Sequence, residues 1–193
     1  MSLTAQQAHQ AFAEADLLHP PADVEAALDR MATEISATLS GSDPLVLCVM
    51  MGGMIPTAHL LSRFDFPLQI DYVHATRYRG NTRGADLQWK HKPETPLAGR
   101  VVLVIDDILD EGWTLDAILR YCEEQGASAV HSAVLVNKRH DRKCPVRADY
   151  TGVEVEDRYV FGYGMDFHGY LRNAPGIYAV RDGEHGHGPT EAS

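Results

Sequence analysis

The stretch Val101-Val102-Leu103-Val104-Ile105-Asp106-Asp107-Ile108-Leu109-Asp110-Glu111-Gly112-Trp113-Thr114 decides how this chain folds. Its first five residues are apolar and mostly β-branched, which predicts a strand covered on both faces, as in a parallel sheet. Ligands of such sheets lie beyond the carboxyl ends of the strands, which is where Asp106 and Asp107 fall. Gly112 permits a tight turn, and Thr114 offers a hydroxyl. A helix predicted from Leu115 to Gln125 would leave its first N–H groups unpaired and available to a phosphate. Acids that merely capped this helix would not need to be adjacent, so the vicinal pair points to a ligand.

On either side, strand and helix patterns alternate. Val24, Ala27, Leu28, Met31, Ile35 and Leu39 recur at helical spacing, and Ser40-Gly41 ends that helix. Pro20-Pro21 separates it from a small peripheral helix expected between Leu3 and Leu17. Leu45 to Met50 is predicted as the first buried strand, Gly52-Gly53 as its turn and Ile55 to Phe64 as the next helix. Further strands are expected at Leu68 to Tyr78, Val101 to Ile105, Ala129 to Val136 and Tyr159 to Tyr163, with Ile177 to Val180 as a last edge strand. This order predicts an α/β fold, a doubly wound and mainly parallel sheet flanked by helices with right-handed crossovers. Arg79 to Arg100 is too long for an ordinary connection. It reads as a lid carrying a short strand at Leu87 to Lys90, or as a disordered insertion, and it emerges on the side of the acid pair. A single domain is expected over residues 1–182, and the polar, glycine-rich stretch Gly183 to Ser193 is expected to be disordered.

Composition excludes several classes. The formal net charge of −10 over 193 residues opposes sequence-independent nucleic-acid binding, which runs on excess Lys and Arg. No apolar run approaches the roughly 18 residues of a membrane span. The first residues lack a basic region and an apolar core, so no secretory signal is expected. Cys48, Cys122 and Cys144 form no metal-ligand spacing and suit reduced thiols, which places the protein in the cytoplasm. The histidines form no catalytic set: His185 and His187 lie in the tail, and a structural or surface role is expected for His168.

The strand, its acid pair and Asp110-Glu111-Gly112-Trp113-Thr114 resemble the phosphoribosyl-pyrophosphate (PRPP) motif of the type I phosphoribosyltransferases. There a hydrophobic strand ends in two acids, and a loop of the form Asp-x-Gly-x-Thr follows. The resemblance implies that Asp106 and Asp107 face the ribose hydroxyls, directly or through Mg²⁺, and that the backbone of Glu111, Gly112, Trp113 and Thr114 wraps the 5′-phosphate. Glu111 stands where the family usually has Thr or a small residue. Cys48 to Gly53 matches the pyrophosphate loop, in which backbone groups at Met50, Met51 and Gly52 would bind, often around a non-proline cis peptide. Met51 occupies a position that is commonly Lys; alone, this loop also reads as a glycine turn with buried methionines. The long insertion looks like the family's flap, with Tyr78 at its base, and the fold carries a small hood.

Three segments, the pyrophosphate loop, Leu135 to Arg139 and Val155 to Asp166, are similar to the hypoxanthine-guanine branch. Lys138, at the end of a buried strand, would donate to the purine 6-oxo group; an ammonium rewards a carbonyl acceptor and opposes an amino group. In the base-recognition segment, about residues 155–172, Tyr159 would stack on the purine and Val160 would offer backbone groups to its edge. Asp166 would ligate the Mg²⁺ that carries pyrophosphate, and Arg172 would clamp the leaving pyrophosphate. Asp110 would take the proton from N7 as general base, its plainer alternative being a helix-terminal acid. The implied activity is purine salvage: hypoxanthine or guanine and PRPP give IMP or GMP and pyrophosphate, by a homo-oligomer (dimer or tetramer). The rivals are transfer to xanthine, adenine or a pyrimidine, and a non-catalytic regulator that senses PRPP or nucleotides. A receiver-like signalling domain would need acids after the first strand, where Met50 and Met51 stand.

Overall fold

The computed structural model describes residues 3–77, 87–142 and 144–181. In chain order it contains α1 (Ala5–Glu14), β1 (Asp16–His19), α2 (Pro21–Leu39), β2 (Leu45–Met50), α3 (Met54–Leu61), β3 (Gln69–Arg77) and β4 (Leu87–His91). There follow β5 (Val101–Leu109), α4 (Trp113–Glu124), β6 (Ala129–Arg139), β7 (Tyr150–Glu156), β8 (Val160–Phe161) and β9 (Ile177–Ala179). Six strands form the main sheet in the order β4-β3-β2-β5-β6-β7, every neighbouring pair parallel except β3 with β4.

The period-two alternation of the central strands divides the core into two layers. Val46 of β2 and Leu103 and Ile105 of β5 face Val24, Leu28, Met31 and Ile35 of α2 and Leu60 of α3. Leu45, Leu47, Val102 and Val104 point the other way, against Leu115, Ile118 and Cys122 of α4. Each such side chain, fully buried, stabilises the fold by about 1.5–3 kcal/mol. The helix after β2 therefore covers one face and the helix after β5 the opposite face. β2 and β5 are neighbours, so a crevice opens between their carboxyl ends. This is the doubly wound α/β arrangement predicted from the sequence.

Several elements differ from expectation. β5 does not stop at Ile105, because β6 continues to pair with it through Asp106↔Val134, Ile108↔Val136 and Leu109↔Asn137. β7 was not predicted; it extends the sheet beyond β6, and Gly152 lets it approach α2 closely. A Cβ at Gly152 would meet the Leu135 carbonyl at 2.5 Å and Met31 Sδ at 3.1 Å. The first helix ends at Glu14, and Asp16–His19 is a strand instead. Of the predicted strand Tyr159 to Tyr163 only Val160 and Phe161 form a strand, in a small antiparallel sheet of order β1-β9-β8, while Gly162 makes an isolated bridge to Met165. Ile177–Ala179 is the centre of that sheet, not an edge. Phe161, Phe167 and Val180 pack beneath it. Tyr78, the glycine-rich part of the flap and the tail with His185 and His187 lie outside the described residues. Among the described residues, no helix is long and apolar enough to cross a membrane.

Candidate active site

Three segments converge at the carboxyl ends of β2 and β5. The Met50–Met51 peptide is cis, and Gly52-Gly53 follows. A Cβ on Gly52 would lie 1.8 Å from Asp107 Oδ2, and one on Gly53 2.6 Å from the Ile105 carbonyl, so only glycines let this loop rest on the acid pair. Gly164, with φ +111°, brings a third segment in; its Cβ would sit 2.1 Å from the Gly52 carbonyl. That segment is anchored from behind. The hydroxyl of Tyr163 donates to Glu25 of α2, which also pairs with Arg63 and lies 3.3 Å from His59 of α3.

The acid pair is nearly inaccessible, Asp106 being 9% and Asp107 8% exposed. Asp106 Oδ1 accepts the N–H of Asp107 and Asp107 Oδ1 that of Ile108, both at 2.8 Å. Burial, reinforced by the charge of Asp107, pushes the Asp106 carboxyl well above the usual carboxylate range. Burial also raises Asp107, against the opposing pull of its hydrogen bond with Asp106 and the charge of Arg172. Arg172 is the nearby cation: it lies 4.0 Å from Asp107, pairs with Asp166 at 2.7 Å and donates to the Gly164 carbonyl at 2.6 Å. Two buried carboxylates sharing one arginine are short of positive charge, and their hard oxygen donors fit a divalent cation such as Mg²⁺.

A second polar cluster stands beside the first. Lys138 Nζ donates to Asp110 Oδ2 at 2.8 Å, and His140 Nε2 lies 2.6 Å from Asp110 Oδ1. Burial raises the Asp110 carboxyl, but the hydrogen bonds from Lys138 and His140 outweigh it and hold the group below its ordinary range. Asp157 offers an oxygen within 4.8 Å of ligand atoms on Asp110 and His140. Arg142 already pairs with Asp157 at 2.8 Å, so this cluster, unlike the acid pair, has its charge compensated.

The predicted residues line two adjoining clefts. One, of about 480 Å³, is bounded by Asp110, Lys138, Tyr159, Val160 and Asp166. The other, of about 560 Å³, is bounded by Met50, Gly52, Asp106, the run Glu111 to Thr114 and Arg172. Asp107 and Asp110 border both. Gly112 at φ +89° makes the turn into α4; a Cβ there would meet Val146 at 2.6 Å. The Glu111 carbonyl accepts the N–H of Cys144 at 2.9 Å, which pins the loop. Met51 borders neither cleft, its side chain being half exposed beside the cis bond. Tyr159 lies edge-on to Phe167 at 5.6 Å. His140, Arg158 and the Tyr163–Glu25 anchor were overlooked in the sequence. None carried a clear signal: β6 ends at Arg139, so His140 lies just past the alternation that places Lys138.

Fold and site together define a phosphoribosyl transferase domain: residues 15–168 match the model of that family, and the chain belongs to it. Its relatives include the hypoxanthine-guanine-xanthine phosphoribosyltransferase of Tritrichomonas foetus, 30% identical over 167 residues, 86% of this chain and 91% of the relative. The hypoxanthine-guanine phosphoribosyltransferase of Aquifex aeolicus is 30% identical over 168 residues, 86% of this chain and 94% of that one. Among solved structures, a hypoxanthine-guanine-xanthine phosphoribosyltransferase superposes with a TM-score of 0.76 at 28% identity, covering 86% of this chain and 94% of the other. A hypoxanthine-guanine phosphoribosyltransferase from Bacillus anthracis, with HEPES in its active site, gives 0.79 at 25% identity, covering 86% and 96%.

Proposed function

We propose that the protein is a hypoxanthine-guanine phosphoribosyltransferase, transferring the phosphoribosyl group of PRPP to N9 of a 6-oxopurine with release of pyrophosphate. The observation that carries this reading is the Lys138–Asp110 pair at 2.8 Å, set in a cleft that adjoins the one bordered by the acid pair. An ammonium and a carboxylate side by side match the 6-oxo group and N7 of hypoxanthine or guanine. Adenine would face Lys138 with an amino group and leave the charge unpaired.

The residues divide the work as follows. Tyr159 stacks on the purine, the Val160 backbone meets its edge and Lys138 donates to the carbonyl. Backbone N–H groups from Glu111 to Thr114, at the start of α4, hold the 5′-phosphate. Met50, Met51 and Gly52 offer backbone groups to pyrophosphate, with Arg172 as its clamp. Asp106 and Asp107 hold the ribose hydroxyls and, with Asp166, Mg²⁺, which when bound neutralises charge on pyrophosphate. As the C1′–O bond breaks, an oxocarbenium-like centre develops and N9 attacks it. Attack places positive charge on the imidazole ring, which acidifies N7–H, so even a carboxylate held below its ordinary range can accept that proton.

Lys138→Ala tests the assignment. Losing a charge-assisted hydrogen bond worth about 1.5–3 kcal/mol lowers kcat/KM for hypoxanthine roughly ten- to a hundredfold, while PRPP affinity measured by calorimetry stays near native. Unchanged kinetics with hypoxanthine would sink the 6-oxopurine reading.

A further inference from the structure

We propose that His140 is a positioning residue for the proton transfer: its Nε2–H grips Asp110 Oδ1, so that Oδ2 is the oxygen presented to N7 of the purine. This rests on the reading of Asp110 as general base. The Asp110 carboxylate is held at both oxygens, Oδ2 by Lys138 at 2.8 Å and Oδ1 by His140 at 2.6 Å. The two partners differ in what they can do.

Lys138 borders the base cleft beside Asp110. Its ammonium ends a flexible four-carbon stem and can turn from the carboxylate to a purine carbonyl. His140 does not border the cleft, its side chain is 5% exposed, and its other ring nitrogen is engaged. Nδ1 accepts the backbone N–H of Arg142 at 3.1 Å. A ring nitrogen that accepts an N–H carries no proton, so the ring's proton sits on Nε2, and that tautomer donates to Asp110. When Lys138 turns to the base, Oδ2 is released while Oδ1 stays bound. The N7 proton then passes to Oδ2, and the N7–H electron pair remains in the imidazole ring, cancelling the charge left by N9 attack. A carboxylate anchored at one oxygen reaches this geometry without first losing rotational freedom.

The test compares His140→Phe and His140→Gln with Asp110→Asn, reading kcat, the KM for PRPP and PRPP affinity by calorimetry. His140→Phe should lower kcat about ten- to a hundredfold and leave the KM for PRPP unchanged. His140→Gln, whose amide can donate from near the position of Nε2, should recover most of the loss. Asp110→Asn should lose about 10²- to 10⁴-fold in kcat. Adding His140→Phe to Asp110→Asn should cost little more, because His140 acts through that carboxylate; an additive loss contradicts the proposal. Native kcat in His140→Phe, or a Gln variant as slow as the Phe variant, overturns the role of His140 and leaves Asp110 as base. Near-normal turnover in Asp110→Asn overturns the base reading itself, whatever the His140 variants do. If the Phe variant fails to bind PRPP, His140→Ala takes its place under the same limits.

Discussion

Asp106 and Asp107 set binding against stability. Both are buried, and burial disfavours their charged forms, most strongly at Asp106. A folded acid with a raised pKa binds more protons than the unfolded chain at intermediate pH, so it lowers stability as pH rises above its unfolded value. Changing both to Asn keeps the Oδ1 acceptors that serve the Asp107 and Ile108 N–H groups and removes two buried ionisable carboxyls. The double variant should melt a few degrees higher at neutral pH without Mg²⁺, about 2–4 °C per kcal/mol for a chain of this size. Its PRPP affinity with Mg²⁺ should fall by about tenfold or more. A lower melting temperature, or PRPP affinity that survives by calorimetry, would contradict this account. The acid pair, Asp110 and Lys138 were legible because each stands at the end of an apolar run that fixes its place. His140 was not, because its contact depends on how far β6 keeps its alternation and on the return of the chain through Arg142.

At the level of elements, continuous apolar strands could be read, and short strands were also expected near Leu87 to Lys90 and Ile177 to Val180, whereas β1 and β7 could not be read. β2, β5 and β6 are buried on both faces and announce themselves as continuous runs. β7 carries Gly152 where α2 approaches, so its alternation is broken in sequence although its backbone pairs with β6. β1 has four residues, too few for a pattern, and long-range pairing with β9 makes it a strand. Asp16 of β1 binds this small sheet to the base-recognition segment: Arg158 Nη2 is 2.6 Å away and Arg181 Nε 3.0 Å away, while Arg158 also donates to the Val180 carbonyl. The hydrogen bond from Arg158, then that from Arg181, holds the Asp16 carboxyl below its ordinary range. A depressed carboxyl contributes stability above its unfolded pKa and loses it as pH falls through the folded value. Asp16→Asn should therefore speed amide exchange in β9 roughly two- to fivefold at neutral pH, a modest effect because the pair is partly exposed. Native and variant proteins should converge as pH falls below the carboxylate range. A difference that persists in acid would show that the ion pairs are not what holds the sheet.

Across the whole molecule, the path from sequence to activity runs through one topological fact. β2 and β5 are adjacent and parallel, and their following helices leave on opposite faces, which opens the crevice where the cleft bordered by Met50, Gly52 and the acid pair lies; the base cleft adjoins it beside β5 and β6. An acidic chain that handles a polyanion must concentrate cations at its site: Arg172 borders one cleft, and Lys138, Arg142 and Arg158 border the other. The measurement that bears most directly on the central claim is pyrophosphate release from PRPP and Mg²⁺ with each base offered separately. The expectation is release with hypoxanthine and guanine and none above background with adenine or uracil. Release with adenine or uracil alone, or with no base at all, would contradict it.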